Sequence, residues 1–120
     1  MDVKNKRVVV TGAASGIGKA LCEAFHQAGA TSVIAVDMNL DGAQETADTV
    51  NGLAVQANVG NEEDIVNVIK QSDEHVGGTD IFCSNAGIGG VPGFFEVAAS
   101  DWQNIWDVNV QSHIFAAKHV

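Results

Sequence analysis

Three glycines near the start of the chain have the spacing of a phosphate-binding loop. Gly12, Gly16 and Gly18 lie within 11-TGAASGIG-18, directly after the apolar run 8-VVV-10. Glycine costs backbone entropy on folding, so three close together need a structural or a chemical reason. A strand, a glycine-rich turn and a helix together make an anion site, because unpaired N–H groups of the helix face the turn. The spacing indicates a pyrophosphate site, with a plain strand-to-helix turn as the alternative.

An acidic residue at the end of the second apolar run narrows the choice of ligand. Asp37 stands where a carboxylate can accept hydrogen bonds from the two hydroxyls of a ribose. The same carboxylate would repel a 2′-phosphate, and Ala14, Ser15 and Met38 offer no cation to balance one. The pattern therefore favours NAD over NADP, and a simple turn role for Asp37 is the alternative.

Alternating strands and helices would bring these residues to one edge of a sheet. Apolar runs predict strands at 7–11, 33–37, 53–58 and 80–84. Helical patterns predict helices from Gly16 to Gly29, within 40–50, from the N-cap Asn61 to Gly77, and from the N-cap Ser100 to the chain end. A long loop at 85–99 follows the fourth strand. This order predicts an α/β fold in which a doubly wound parallel sheet forms the middle of three α/β/α layers.

Composition excludes several classes of function. The 120 residues suit one domain or part of one, and a net charge of −9 argues against nucleic-acid binding. No apolar run approaches the roughly 18 residues of a membrane span. Cys22 and Cys83 lie far apart among apolar neighbours, which indicates reduced thiols in a cytoplasmic protein. The four histidines lack the spacing of zinc ligands, so no metal site is expected.

Four motifs in order give the chain a resemblance to a known family. With 11-TGAASGIG-18, Asp37, 84-SNAG-87 and 107-DVNV-110, it resembles the short-chain dehydrogenase/reductase family over its whole length. The resemblance implies a Rossmann-type fold with strand order 3-2-1-4. It also implies hydride transfer between NAD(P) and a small alcohol or carbonyl substrate, in a protein that commonly forms homo-oligomers.

The resemblance also implies a set of cofactor contacts. They are Gly12, Ser15, Gly16, Ile17 and Gly18 at the pyrophosphate, Asp37 at the adenosine ribose, Asn58 and Val59 at the adenine, and Asn85, Ala86 and Gly87 against the cofactor. Asn58 replaces the usual Asp of the family, yet its amide oxygen can accept a hydrogen bond from the adenine amino group. Ser84 replaces a more usual Asn, which we interpret as a change to a structural hydrogen bond.

Asn109 is the candidate for a role near the chemistry. It lies on the predicted apolar stripe of the last helix, seven residues after Trp102. His113 and Trp106 on this stripe are interpreted as core or interface residues. Burial of an amide is costly unless it is hydrogen-bonded, so a core amide satisfied by the backbone is one reading. The resemblance implies the other, in which Asn109 kinks its helix and positions a water in a proton relay.

The Ser, Tyr and Lys that the family uses for catalysis have no counterpart here. The chain contains no tyrosine and ends inside the predicted last helix. We therefore expect residues 1–120 to be the cofactor-binding, N-terminal part of a longer enzyme, truncated after the fourth strand and the following helix and inactive alone. The last helix would then expose Trp102 or Trp106. A non-catalytic dinucleotide-binding or interaction module is the alternative, and a methyltransferase is a more remote one.

Overall fold

Strands and helices alternate along the chain, as the sequence predicts. The computed structural model describes residues 2–90 and 93–120, and only the backbone of Phe94; the predicted loop at 85–99 thus lies partly outside the described residues. The strands are β1 (Arg7–Thr11), β2 (Ser32–Asp37), β3 (Leu53–Gln56) and β4 (Ile81–Cys83). The helices are α1 (Gly16–Gln27), α2 (Leu40–Thr49), α3 (Glu62–Val76), α4 (Ala99–Trp106) and α5 (Ser112–His119). A 3-10 turn, Phe94–Glu96, precedes α4, and a π-helical segment, Asp107–Gln111, joins α4 to α5.

The four strands form one parallel sheet in the order β3-β2-β1-β4, which confirms the predicted order. In register, Val9 of β1 lies between Ile34 of β2 and Phe82 of β4, and Val36 of β2 pairs with Val55 of β3. Because the strands are parallel, their carboxyl ends meet at one edge of the sheet, where ligands of such folds bind. The loops that carry the glycines, Asp37 and 84-SNAG-87 all leave the sheet at this edge.

The sheet is buried on both faces, as near-continuous apolar strands require. Successive side chains of β1 point to opposite faces. Val8 and Val10 pack with Cys22 of α1 on one face, while Val9 packs with Val68 of α3 on the other. All of these side chains are at most 1% exposed. The three α/β/α layers are therefore present. Within the described part of the chain, no helix has the length and apolarity to cross a bilayer.

The two cysteines are free thiols in the layer between α1 and the sheet. Cys22 is buried on α1, and burial raises the pKa of its thiol to about 11. Cys83 on β4 is half-buried, and burial raises its pKa as well. A thiol with a raised pKa carries little thiolate near neutral pH and is a weak nucleophile. Both side chains therefore act as packing groups.

The start of the last helical region differs from the prediction. The sequence predicts Ser100 as N-cap, but α4 begins at Ala99 with Ala98 as the capping residue. The carboxylate of Asp101 reaches back and accepts a hydrogen bond from the N–H of Ala98 at 3.0 Å. This acidic residue in the first turn, rather than a serine hydroxyl, therefore fixes where the helix begins.

The predicted apolar stripe of the last helix is only partly right. Trp102 and Trp106 are 51% and 52% exposed, in line with the expectation that this helix exposes one of them, but His113 is exposed as well. Ala116, seven residues after Asn109 on the stripe, is buried, whereas the other buried positions, Val108 and Ser112, lie off it. A π-helical turn holds one residue more than an α-helical turn, so it rotates the face that meets the sheet. A regular period of 3.6 residues does not continue through such a segment.

An ion pair links the first residue of β1 to the residue before β4, at the end of the sheet opposite the glycine loop. The Arg7 guanidinium binds Asp80 through two bonds, from Nε at 2.8 Å and from its terminal nitrogen at 2.9 Å, and the N–H of Arg7 also donates to Asp80 at 2.8 Å. A further bond runs from Arg7 to the carbonyl of Gly77. Hydrogen bonds from Arg7 hold the pKa of Asp80 well below its usual range.

We expect this ion pair to make stability depend on pH below about pH 4. Because the pKa of Asp80 is lowered in the folded chain, its contribution is complete above the unfolded pKa, about 3.9, and is lost as the pH falls further. Asp80→Asn should unfold at lower urea concentration than the parent at pH 7, and the two midpoints should converge towards pH 2.5. Glu45→Gln, which removes one exposed charge from α2, is the control. A gap between the parent and Asp80→Asn that stays constant with pH would contradict the assignment.

Candidate functional site

The three glycines of the loop 11-TGAASGIG-18 occupy their positions for different physical reasons. Gly12 and Gly16 have φ of +69° and +54°, which side chains rarely adopt. A Cβ at Gly12 would also lie 3.0 Å from the Cα of Ala86, and a Cβ at Gly18 would overlap the carbonyl oxygen of Gly12. A Cβ at Gly16 would meet no heavy atom within 4 Å. Gly12 and Gly18 therefore allow the backbone to pack, whereas Gly16 borders open space in a groove that Asp37 and Asn85 also line.

The helix that follows this loop begins without a side-chain cap. Asn39 caps α2 by accepting from the N–H of Gly42, and Asn61 caps α3 by accepting from the N–H of Glu63 at 2.9 Å. Ser15, the N-cap of α1, accepts no such bond with its side chain. The first turn of α1 thus presents backbone N–H groups to the groove, where the helix dipole favours an anion.

Asp37 supports the glycine loop from the neighbouring strand. One carboxylate oxygen accepts from the N–H of Ala14 at 3.0 Å, and the other accepts from the N–H of Asn39 at 2.9 Å. The buried hydroxyl of Thr46 on α2 adds a 2.8 Å bond to the carbonyl of Ala13. The carboxylate is half-exposed and lines the groove. Its position is therefore fixed by the loop, and its remaining lone pairs face the ligand space.

Thr11 joins the first loop to the loop after β4, a role that sequence reasoning missed. Its hydroxyl accepts from the N–H groups of Asn85 and Ala86, both at 3.0 Å, and lies 3.4 Å from the carbonyl of Cys83. The amide of Asn85 in turn donates to the carbonyl of Thr11 at 2.9 Å. Thr11 is 1% exposed, so these bonds are shielded from water. The sequence carries one signal for this role: a residue with a hydroxyl group, Thr11, directly precedes the first glycine of the loop.

Thr11→Val should separate these two loops. Valine keeps the shape but leaves two backbone N–H groups without their acceptor, at about 1–3 kcal/mol for each unsatisfied group. We expect the free energy of unfolding to fall by about 2–4 kcal/mol, measured by urea titration of tryptophan fluorescence. Thr11→Ser keeps the hydroxyl and should cost only about 1 kcal/mol for the lost methyl group. A valine variant as stable as the serine variant would contradict this role.

Asn58 and Val59 lie where β3 leads into α3. The backbone N–H of Asn58 donates to Asp64 at 2.8 Å, and its side-chain oxygen accepts from the N–H of Gly60 at 3.0 Å. These bonds turn the chain after Gln56, so β3 is shorter than the predicted strand at 53–58. The oxygen that we expected to face adenine is thus already an acceptor within the chain. Val59 is 6% exposed and packs in the core at the groove wall.

Asn109 lies in the π-helical segment and clamps the loop after β4. Its side chain accepts from the N–H of Ile88 at 2.8 Å and donates to the carbonyl of the same residue at 2.9 Å. A Cβ at Gly87 would lie 3.2 Å from the Asn109 oxygen, so the loop passes close to the helix. The structure thus shows an amide satisfied by backbone groups in an irregular helix. It contacts the loop that lines the groove.

Three adjoining pockets lie along the carboxyl edge of the sheet and share lining residues, Met38 on one side and Gly12 and Asp37 on the other, so that together they form a groove. All the predicted cofactor contacts line the groove: Gly12, Ser15, Gly16, Ile17, Gly18, Asp37, Asn58, Val59, Asn85, Ala86 and Gly87. Met38 also lines the groove, together with residues that the sequence did not single out: Gln56, Asp64, Ile88 and Val108. The described lining residues include the carboxylates of Asp37 and Asp64 and no Lys, Arg or His.

Comparison with known proteins gives one consistent family. The family model described as short chain dehydrogenase matches residues 6–120. Glucose 1-dehydrogenase 2 of Bacillus subtilis is 35% identical over 123 residues, which cover 98% of this chain and 48% of that protein. The 3-oxoacyl-(acyl-carrier-protein) reductase FabG of Vibrio cholerae is 35% identical over 122 residues, covering 100% of this chain and 50% of that protein.

Solved structures agree with the sequence matches. A short-chain type dehydrogenase/reductase from Mycobacterium marinum is 32% identical with a TM-score of 0.89, over 98% of this chain and 49% of that one. L-sorbose reductase from Gluconobacter frateurii, solved with NADPH and L-sorbose, is 31% identical with a TM-score of 0.89, over 99% of this chain and 48% of that one. The chain spans about half the length of these relatives. Because the family model covers nearly all of the sequence and the fold agrees, the chain belongs to the short-chain dehydrogenase family.

Proposed function

We propose that this chain is the cofactor-binding part of an NAD-dependent oxidoreductase. The observation that carries the proposal is the convergence of the glycine loop, Asp37 and 85-NAG-87 on one groove at the carboxyl edge of a parallel sheet. When bound, NAD would supply hydride acceptance and donation against an alcohol or carbonyl substrate. The residues of this chain would bind and orient the cofactor.

The donors in the groove fit a dinucleotide. The uncapped first turn of α1 offers N–H groups to a pyrophosphate, and the open space beside Gly16 leaves room for the phosphate oxygens. Ser15 and Ile17 border the same space, and Ile17 is 72% exposed. Asp37 would accept hydrogen bonds from the adenosine ribose, with Asn58 and Val59 at the base and 85-NAG-87 along the nicotinamide half.

The charge of the groove supports NAD over NADP. Family membership alone does not choose between them, since L-sorbose reductase was solved with NADPH. Here Asp37 is held in place by the N–H groups of Ala14 and Asn39, so it cannot readily turn away from a ligand. A 2′-phosphate beside this carboxylate would be repelled, and the described lining residues offer no cation to balance it.

Asn109 is proposed as a positioning residue for the active site. Its two bonds to Ile88 fix the loop that follows 85-NAG-87, against which the cofactor would lie. It lies in a π-helical segment, a feature frequent at functional sites, and the family resemblance implies that an Asn at this position holds a water for proton transfer. The Ser, Tyr and Lys implied by the family resemblance have no counterpart in these residues, and the sequence contains no tyrosine. We therefore expect no turnover of alcohols by this chain alone.

Exposed apolar side chains and free thiols support two further parts of the proposal, the oligomeric state and the cellular setting. Trp106 and Ile114 are 52% and 58% exposed on the last helical region, which supports a homo-oligomer that covers them. The free thiols Cys22 and Cys83 support a reducing, cytoplasmic setting. The substrate class follows only from the family, as a small alcohol or carbonyl compound.

Calorimetric titration of the chain tests the cofactor proposal directly. NADH should bind saturably and more tightly than NADPH, and S-adenosylmethionine should not bind. Saturable binding of S-adenosylmethionine alone would indicate a methyltransferase and overturn the proposal. A panel of alcohols with NAD should give no turnover. Turnover by the 120-residue chain would contradict the expectation that part of the catalytic site is missing.

A further inference from the structure

A single peptide group connects helix α2 to the carboxylate of Asp37. The hydroxyl of Thr46 donates to the carbonyl of Ala13 at 2.8 Å, and the N–H of Ala14 donates to Asp37 at 3.0 Å. That carbonyl and that N–H belong to the same peptide, which is trans and planar, so they point in opposite directions. A rotation of this peptide would therefore disturb both bonds together.

The hydroxyl of Thr46 bonds to the loop in preference to its own helix. A threonine within a helix can donate to the carbonyl four residues earlier, which here is that of Gly42. The oxygen of Gly42 lies 3.2 Å from the hydroxyl, whereas the oxygen of Ala13 lies at 2.8 Å, and a hydroxyl has only one hydrogen to donate. Thr46 is fully buried, and no other group within residues 2–90 and 93–120 donates to the Ala13 carbonyl. This hydroxyl therefore orients the peptide.

Gly42, one turn before Thr46, lets α2 pack directly against the same peptide. A Cβ at Gly42 would lie 2.7 Å from the methyl group of Ala14, a separation that real Cβ atoms essentially never show. The N–H of Gly42 donates to the side chain of Asn39 at 3.2 Å, and the N–H of Asn39 donates to the second oxygen of Asp37 at 2.9 Å. Both oxygens of the carboxylate are thus connected to α2.

We propose that Thr46 is a positioning residue that determines the choice of cofactor. By fixing the peptide between Ala13 and Ala14, it keeps the carboxylate of Asp37 directed to the ribose hydroxyls and prevents it from turning away from a 2′-phosphate. The inference rests on the proposed dinucleotide site and adds to it a buried residue of a neighbouring helix. Thr46 would act through Asp37 rather than by contact with the cofactor.

Valine at position 46 keeps the shape of the side chain and removes the donor. The buried carbonyl of Ala13 then has no partner, which is costly, so the peptide is expected to rotate towards another donor. That rotation takes the N–H of Ala14 away from Asp37. A carboxylate released on one side repels a 2′-phosphate less and holds the ribose hydroxyls less well. We expect the ratio of the Kd for NADPH to the Kd for NADH to fall by about three- to tenfold in Thr46→Val.

Paired titrations with NADH and NADPH test this role, because a general loss of stability weakens both cofactors alike and leaves the ratio unchanged. Thr46→Ser keeps the hydroxyl and should keep the parent ratio. Thr49→Val is the matched control, since it makes the same change on α2 where the hydroxyl bonds within the helix, to the carbonyl of Thr46 at 2.7 Å. It should also keep the parent ratio. Circular dichroism checks that each variant is folded.

Gly42→Ala disturbs the same peptide by packing instead of by hydrogen bonding. The new methyl group would push Ala14 away from α2, so the ratio should fall in the same direction as in Thr46→Val. Alanine is also a better helix former than glycine, so a weaker helix would not explain the result. This variant decides the question if Thr46→Val does not fold.

The outcomes separate this inference from the cofactor proposal. A parent ratio in Thr46→Val, or equal weakening of both cofactors, would overturn the inference and leave the dinucleotide site intact. A ratio that falls as far in Thr49→Val would also overturn it, because the change would then come from the helix as a whole. Equal binding of NADH and NADPH by the parent would overturn it too. Absence of saturable binding of either dinucleotide by the parent would refute the proposed function, and with it this inference.

Discussion

A methyl group at position 18 is expected to weaken dinucleotide binding strongly. In Gly18→Ala the new Cβ would overlap the carbonyl oxygen of Gly12 and lie 2.6 Å from its carbonyl carbon, so backbone has to move. The clash lies between the loop and the first turn of α1. These two segments must stay in contact to form the pyrophosphate site. Overpacking of this kind costs about 3 kcal/mol of folding stability. Loss of one or two charge-assisted bonds to a pyrophosphate would weaken NADH binding by about 10–100-fold.

Two other glycines make this experiment specific. Gly89→Ala adds the same methyl group where no heavy atom lies within 4 Å, and it should leave stability and NADH binding unchanged. Gly16→Ala meets no atom either, but its φ of +54° costs about 1 kcal/mol for a residue with a side chain. It should therefore weaken binding less than Gly18→Ala. Urea unfolding and NADH titration of the three variants measure both effects. Binding by Gly18→Ala within threefold of the parent would contradict the packing argument.

The fold could be predicted because its signals are local and agree with one another. Alternation of apolar strands with helices determines a parallel sheet, and the caps Asn61 and Gly77 appear where the sequence places them. Gly77 has φ of +82°, a conformation for which glycine is the usual residue. The strands β2, β3 and β4 differ from their predicted bounds by no more than two residues, and β3 ends early because the bond from Gly60 to Asn58 turns the chain.

The resemblance implies a kink at Asn109, but the buried face of the last helical region could not be predicted because its periodicity breaks. A single π-helical turn at Asp107–Gln111 changes which residues meet the sheet, and no local propensity marks it. The turn brings Asn109 against the backbone of Ile88, a contact between residues far apart in sequence. Such a contact depends on the tertiary fold, so a stripe drawn with one constant period included the exposed His113 and omitted the buried Val108 and Ser112.

The polar contacts of the site show the same division between local and tertiary signals. The convergence of the glycine loop and Asp37 on one groove follows from the topology of a parallel sheet, which the sequence predicts. The bonds of Thr11 to Asn85 and Ala86 depend on two strands that are adjacent in space and distant in the chain. The orientation of the Asn58 amide likewise depends on the turn at Gly60. Residue types therefore predict which groups reach the site, and the structure determines which atoms they present.

A double substitution at the end of β2 is expected to reverse the preference for NAD. Asp37→Ala removes the acceptor for the ribose hydroxyls, a charge-assisted contact worth about 1.5–3 kcal/mol. Met38→Arg adds a guanidinium at an adjacent residue that is 62% exposed and lines the groove, where it can pair with a 2′-phosphate. The parent should bind NADH more tightly than NADPH, and the double variant should bind NADPH more tightly. We expect the ratio of the two Kd values to change by about 100-fold.

The ratio is the informative quantity because Asp37 also has a structural role. Its bonds to the N–H groups of Ala14 and Asn39 disappear in the alanine variant, which should weaken both cofactors equally and leave the ratio unaffected. The control is Asp41→Ala with Leu40→Arg, which changes the net charge by the same amount at exposed positions of α2. It accounts for the general attraction of a less acidic chain for NADPH. If the parent already binds NADPH as tightly as NADH, or if the control shifts the ratio as far as the double variant, the carboxylate of Asp37 does not determine the choice of cofactor.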